Sequence, residues 1–331
     1  VHSSDVHFDE GYMPMRARGD ERVGPAVPVA APPDDSPADV LSIGEGVPVP
    51  EKPEALATTI SEAYKSATSL RRSDGKAKIL LLFSGPSRRP DGIDVFLNRL
   101  GYECVLFDML QGDDVLNDDT YDQLKARIKS GEFFAVLAAP PCSTVSISRF
   151  FNSSSSADGG PPVIRKRAHP MGLPDVPAGH RRELRVSNEI FRRTCELLLL
   201  AHESGAEFLL ENPSDRGDPM AARAYLHAEH APLWSLPMFI ELAKRTGSDL
   251  VSFPMCSFGS PWQKLTTLMY TPGLSSWMQP LARLLCTHDT HERAAGGEKN
   301  ADGWNSSEAS AYPADFNHYV AQAFGALRLV T

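Results

Sequence analysis

Phe133-Phe134-Ala135-Val136-Leu137-Ala138-Ala139-Pro140-Pro141-Cys142 is the stretch on which the fold turns. From Phe133 to Ala139 the run is apolar without alternation, as expected of a strand buried on both faces of a parallel sheet. Pro140 and Pro141 break the strand, because proline cannot donate to a neighbouring strand. They also stiffen the backbone at its end and leave Cys142 directed into the cleft. The same grammar recurs on either side. Upstream, Ile79 to Phe83 is a second apolar run, closed by Ser84-Gly85-Pro86. Asp94 to Leu100 has helical spacing and stops at Gly101. Glu103 to Phe107 is a strand ending at Asp108. Tyr121 to Ser130 is a helix with Tyr121, Leu124 and Ile128 on one face. Downstream, Ser187 to Ser204 is a long helix, and Glu207 to Leu210 a strand ending at Glu211-Asn212-Pro213. Strand alternating with helix predicts an α/β fold, a doubly wound, Rossmann-like parallel sheet. In such sheets ligands sit at the carboxyl ends of the strands. Gly85, Asp108, Cys142 and Glu211 all fall there.

The bulk properties set outer bounds. The chain has 331 residues, 42% of them hydrophobic, enough for a sizeable core. Residues 1–75 are rich in Pro, Ala, Asp and Ser and are expected to form a disordered leader or linker. Residues 76–331 are expected to form the folded domain. No apolar run approaches the roughly 20 residues needed to span a bilayer. Val1 to Glu10 are polar and acidic, unlike a secretory signal. The five cysteines have no regular pairing, which points to a reducing, intracellular compartment. Nucleus and cytoplasm are not distinguished. Valine at position 1 suits a piece of a larger polyprotein, whose further domains are then expected partners.

A net charge of −9 argues against a surface coated for nonspecific nucleic-acid binding. A local basic stretch remains: Arg165, Lys166, Arg167, His169, His180, Arg181, Arg182, Arg185, Arg192 and Arg193. It reads either as a solvated loop and helix face or as a phosphate-contacting surface.

Four strand ends carry chemistry. A small residue at Gly85 lets backbone approach a cofactor closely, and an acid at Asp108 is where a Rossmann site holds ribose hydroxyls; its plainer role is a helix cap. Cys142 suits a nucleophile, and the polar run Ser143-Thr144-Val145-Ser146 after it reads as an exposed loop; its plainer role is a buried structural cysteine. Glu211, at a strand end beside apolar residues, suits a group that gives or shares a proton. Cys104, within a strand, and Cys195, on an apolar helix face, read as structural.

The order Phe83-Ser84-Gly85-Pro86, Asp108, Pro140-Pro141-Cys142, Glu211-Asn212-Pro213 resembles the C5-cytosine DNA methyltransferases. It is most similar to divergent phage and mobile-element members, in which Glu-Asn-Pro replaces Glu-Asn-Val. The stretch Cys256 to Thr271, with Gly259, Gln263, Lys264 and Thr266, and the ending Ser310-Ala311-Tyr312-Pro313 before an apolar helix, extend the likeness. The resemblance implies S-adenosylmethionine as cofactor, held by Phe83, Ser84, Gly85, Pro86, Asp108, Asp114 and Pro140. It implies DNA as partner, RNA not being excluded, with contacts from Ser143, Arg149, Arg165, Arg181, Arg182, Gln263 and Lys264. Cys142 and Glu211 would act on a flipped-out cytosine. The chain departs from the family in a longer loop after Pro86, Ser87-Arg88-Arg89-Pro90-Asp91-Gly92, without the family's usual second glycine, and in lacking a Gln-x-Arg-x-Arg motif and most of the segment that reads DNA sequence. Two other readings stay open: a catalytically inactive module that binds nucleic acid or cofactor, and an amino methyltransferase acting on N4 or N6. Cys142, where the latter carries an aromatic, counts against it. Cys286, His288 and His291, with Cys256 as a candidate fourth, have spacing that permits zinc ligation. Three such residues in a loop are more often coincidence, and no metal is expected.

Overall fold

The apolar runs form the centre of a six-stranded sheet in a computed structural model of the protein. The structure describes residues 76–85, 89–150, 161–221, 224–262, 264–291, 299–300, 303–304 and 311–327. The leader 1–75, Pro86 and Gln263 lie outside them. In chain order the sheet strands are β1 (Lys78–Leu82), β2 (Glu103–Phe107), β3 (Phe133–Ala138), β4 (Glu207–Pro213), β5 (Asp249–Pro254) and β6 (Leu265–Tyr270). They lie in the order β2-β1-β3-β4-β6-β5. The helices are α1 (Ile93–Arg99), α2 (Asp118–Lys129), α3 (Ala178–Glu203), α4 (Pro237–Thr246), the single turn α5 (Ser275–Met278) and α6 (Ala314–Leu327). The result is a mixed α/β fold of Rossmann-like form.

Strand alternation sends Leu80, Leu82, Val136, Ala138, Phe208 and Leu210 to one face. There they form a single core with Tyr121, Leu124 and Ile128 of α2, Phe191, Leu197 and Leu198 of α3, and Phe239 and Leu242 of α4. Ile79, Leu81 and Leu137 point the other way and are also buried. Both faces are therefore covered, which is why these strands read as unbroken apolar runs. Helix α2 begins where Asn117 accepts a hydrogen bond from the Thr120 N–H at 2.9 Å, with Asp118 and Asp119 in its first turn and Arg127 and Lys129 in its last.

Three features differ from the sequence expectation. First, the sheet is not wholly parallel: β1, β2, β3 and β4 are mutually parallel, but β6 runs antiparallel to both β4 and β5. The connection from Met255 to Lys264 is shorter than the dozen or so residues a parallel crossover needs, so the chain turns back on itself. Second, β4 does not end at Leu210; Glu211, Asn212 and Pro213 pair with Leu268, Thr267 and Thr266. Third, α3 starts at Ala178 rather than Ser187 and runs for 26 residues. Arg181, Arg182 and Arg185 thus lie on a helix, where arginine is a good former.

From β1 the chain steps to β2 on one side, then to β3 on the other. This reversal opens a crevice beyond the carboxyl ends of β1 and β3, the place where open α/β sheets take ligands.

Candidate active site

The crevice is a cavity of about 700 Å³, within the usual range for a small-molecule site. Phe83, Ser84, Gly85, Asp108, Asp114, Pro140, Cys142, Glu211 and Lys264, nine of the residues singled out in the sequence, line it together. Its first wall is built by backbone conformation. Phe83 has φ of 60°, a left-handed value that costs a non-glycine residue about 1–3 kcal/mol. Its N–H donates to Phe107 O at 2.8 Å, which pins the turn to β2. Gly85 has φ of +69°, and a Cβ there would meet no heavy atom within 4 Å. Glycine is needed for the conformation, and the side it leaves bare is open space.

Asp108 fixes that turn. Its Oδ2 accepts from the Gly85 N–H at 2.9 Å and its Oδ1 from the Leu110 N–H at 2.8 Å. The carboxylate therefore is a helix cap and at the same time a brace for the glycine. A carboxylate has about four acceptor positions, so two remain for a ligand. Asp114 accepts from the Leu116 N–H at 2.8 Å. Met109 and Leu110 follow Asp108, line the cavity and are 54% and 70% exposed, an apolar surface the sequence did not flag.

The opposite wall joins β3 to β4. Asn212 Nδ2 donates to Pro140 O at 2.9 Å, tying the two strand ends together. Its buried Oδ1 has no hydrogen-bond partner among the described residues. Cys142 is half-buried on this wall. Glu211 is only 6% exposed. Tyr312 OH donates to its Oε2 at 2.6 Å and Thr266 Oγ1 to its Oε1 at 3.2 Å, while Lys264 Nζ stands 3.7 Å from Oε1. Lys264 also lies over the Tyr312 ring, 5.3 Å from its centroid. Tyr312 arrives from just before α6, and Arg89 Nη2 donates to its carbonyl at 3.3 Å. Tyr312 and Thr266 are named in the sequence only as part of longer motifs; Thr266 comes to Glu211 through the pairing of β4 with β6, and Tyr312 from the segment before α6.

The sequence readings for the loop after Cys142 and for the basic stretch need correction. Ser143 is not exposed but 5% accessible, and Thr144 and Val145 are each 2% accessible. The polar run turns inward because it has partners there: Ser143 O accepts from Arg149 Nε at 2.6 Å, and Thr144 Oγ1 shares a hydrogen bond of 2.6 Å with Ser187 Oγ. Arg149, 3% exposed, also donates to Pro162 O at 2.9 Å and pairs with Glu183. Arg165, 2% exposed, donates to Pro170 O at 2.8 Å and lies over the Phe191 ring. Burial, and then the charge of Arg149, push Arg165 down to about 9. Neither arginine can reach a phosphate. Arg192 and Arg193 pair with Glu189, Arg167 with Asp215, and Lys166 with Glu229. Arg181, Arg182 and Arg185 are exposed, and among the described residues none of the three pairs with an acid; Arg181 Nε donates to Val176 O at 3.0 Å. These three are the unpaired cations that the basic stretch keeps on its surface.

His230, unassigned in the sequence, is 1% exposed and bridges the loops after β3 and β4. Its Nδ1 accepts from the Arg216 N–H at 3.0 Å, which leaves Nε2 to donate to Val145 O at 3.0 Å. Cys104 and Cys195 have the structural placements expected, and burial pushes the Cys104 thiol up to about 12. Away from the cavity, the fold brings Cys256 to Cys286, His288 and His291, with ligand atoms all within 4.8 Å of one another. Among the described residues no helix is long and apolar enough to cross a membrane. The chain matches no protein-family model, and no curated protein matches it.

Proposed function

We propose that the chain is an S-adenosylmethionine-dependent DNA cytosine-5 methyltransferase. The observation that carries this is the convergence of Gly85, Asp108, Cys142 and Glu211 on one cavity of about 700 Å³, from four different strand ends. S-adenosylmethionine suits the first wall: the open side of Gly85 admits a close approach, spare acceptor positions on Asp108 suit ribose hydroxyls, and Met109 and Leu110 offer an apolar surface for a flat ring. When bound, it supplies an electrophilic methyl group.

The residues across the cavity are those the rest of the reaction needs. The Cys142 thiolate adds to C6 of an extruded cytosine, forming an S–C6 bond and placing electron density on C5. Glu211, held by Tyr312 and Thr266, lines the cavity and has acceptor capacity left for the amine edge of the base. Asn212 Oδ1 is a further acceptor, without a hydrogen-bond partner among the described residues. After C5 is methylated, its proton leaves to solvent, and the S–C6 electrons return to sulfur as the double bond reforms. Exposed Arg181 and Arg182 suit the phosphates.

A second reading, a silent binding module, draws on the burial of Arg149 and Arg165, which leaves a smaller basic face than the sequence implies. One experiment separates the two. Protein, cofactor and DNA containing 5-fluorocytosine should give a covalent adduct that Cys142→Ser abolishes, because fluorine cannot depart as a proton does. The same assay with RNA tests the other polymer. Absence of any adduct, with the product methylated on an exocyclic amine or not at all, would overturn the assignment.

A further inference from the structure

We propose that Cys256, Cys286, His288 and His291 bind one zinc ion in a closed structural site. Cys256 is buried in the turn that directly follows β5, and the other three share one loop after the Gln279–Arg283 turn. Each offers one ligand atom, and these four atoms lie within 4.8 Å of one another. Cys286 Sγ is 3.7 Å from His288 Nδ1 and 3.4 Å from His291 Nε2. A tetrahedral zinc with bonds of about 2.3 Å to sulfur and 2.0–2.1 Å to nitrogen has sulfur–nitrogen edges of about 3.5 Å. The cluster already has the spacing of such an ion's first coordination sphere.

The donor set selects the metal. Two thiolates and two imidazoles suit zinc, whereas calcium and magnesium take oxygen ligands. Four protein ligands fill a tetrahedron and leave no open position for a substrate or a reactive water, so the ion is structural. Its place in the fold says what it would hold. Met255, beside Cys256, donates its N–H to Lys264 O at 2.8 Å, and Lys264 lines the cavity next to Glu211. The ion would clamp the β5–β6 turn to the loop that follows Arg283. This assignment is independent of the methyltransferase reading.

The test uses the full chain expressed with zinc and passed through gel filtration under reducing conditions. Elemental analysis should find one zinc per chain. His288→Ala, at an exposed position, and Cys286→Ser should each lose most of it, while Cys104→Ser keeps it. Cobalt substituted for zinc in the wild type should show the visible bands of a tetrahedral site and thiolate charge-transfer absorption. Chelation should lower the melting temperature of the wild type and leave that of Cys286→Ser unmoved. Substoichiometric zinc in the wild type, unchanged zinc in both ligand variants, or a Cys256–Cys286 disulfide found by mass spectrometry of the reduced preparation would each overturn the proposal.

Discussion

Replacing Asp108 separates what its carboxylate does for the fold from what it does for a ligand. Two backbone amides, of Gly85 and Leu110, depend on it at 2.9 and 2.8 Å. Asp108→Ala deletes both acceptors. A hydrogen bond to a charged group contributes about 1.5–3 kcal/mol, and a partly exposed one belongs at the low end. A lost helix cap costs about 1 kcal/mol. The sum is about 2–3 kcal/mol, or a melting-temperature drop of roughly 5–10 °C for a domain of this size. Asp108→Asn is isosteric and keeps one oxygen, so one amide remains satisfied while the other faces an NH2 group. Its cost should be about half as large.

Ligand binding should rank the variants differently. Both lose the charged acceptor that would receive ribose hydroxyls, so both should bind S-adenosylhomocysteine at least tenfold more weakly, a difference of about 1.4 kcal/mol or more. Differential scanning fluorimetry gives the first quantity and titration calorimetry the second. A wild-type melting temperature in Asp108→Ala would refute the bracing of Gly85. Wild-type affinity in a folded Asp108→Asn would refute the ribose assignment while leaving the brace intact.

Two further outcomes follow from charged groups elsewhere. Replacing Arg181 and Arg182 by Gln should flatten the salt dependence of DNA binding by about 2 in the log–log slope if each meets one phosphate, whereas Arg165→Met should lower the melting temperature and leave the slope unchanged; the opposite pattern in a salt titration would restore Arg165 as a DNA contact. Hydrogen bonds from Arg127 hold the Glu132 carboxyl at about 2, below the ordinary 4.5, against an opposing cost of burial, and Lys78 adds to the lowering. Because this pKa is depressed in the folded state, its stabilisation is complete above about pH 4.5 and fades as pH falls through about 2. The melting-temperature gap between wild type and Glu132→Gln should therefore close over that window, and a gap independent of pH would show that the carboxylate is not the group involved.

The strand ends were legible because a strand buried on both faces writes itself as a continuous apolar run, and what stops the run is chemically distinct: Gly85, Asp108, Pro140-Pro141. The partners of Glu211 were not legible. Tyr312 lies 101 residues away in the chain and Thr266 lies 55; Thr266 meets Glu211 because β6 turns back against β4, and Tyr312 because the segment before α6 returns to the same strand end. Arginine was the hardest residue to read. Arg149 and Arg165 spend their donors on the carbonyls of Pro162 and Pro170, and a backbone carbonyl leaves no mark in a sequence. The proposed zinc ligands were partly legible, since the spacing of Cys286, His288 and His291 was visible but the burial of Cys256 beside them was not.

The corrected arginines bear on how Cys142 is held. Each residue from Cys142 to Val145 has a fixed backbone or side-chain partner: Cys142 O accepts from the Val145 N–H at 2.9 Å, Ser143 O from Arg149, Thr144 bonds Ser187, and Val145 O accepts from the His230 Nε2–H. Ser187 is itself reached by Arg165 Nη2 at 3.4 Å. Burying two guanidinium groups is costly, the more so because Arg165 Nε has no hydrogen-bond partner among the described residues, and a loop that had only to close over phosphate would have no use for them. A nucleophile does have a use for them, because a reacting atom must stay within a fraction of an ångström of its productive position and its supports must be rigid. Of the residues that the sequence assigned to the substrate, Ser143, Arg149 and Arg165 are, in the fold, part of the frame that holds the Cys142 loop.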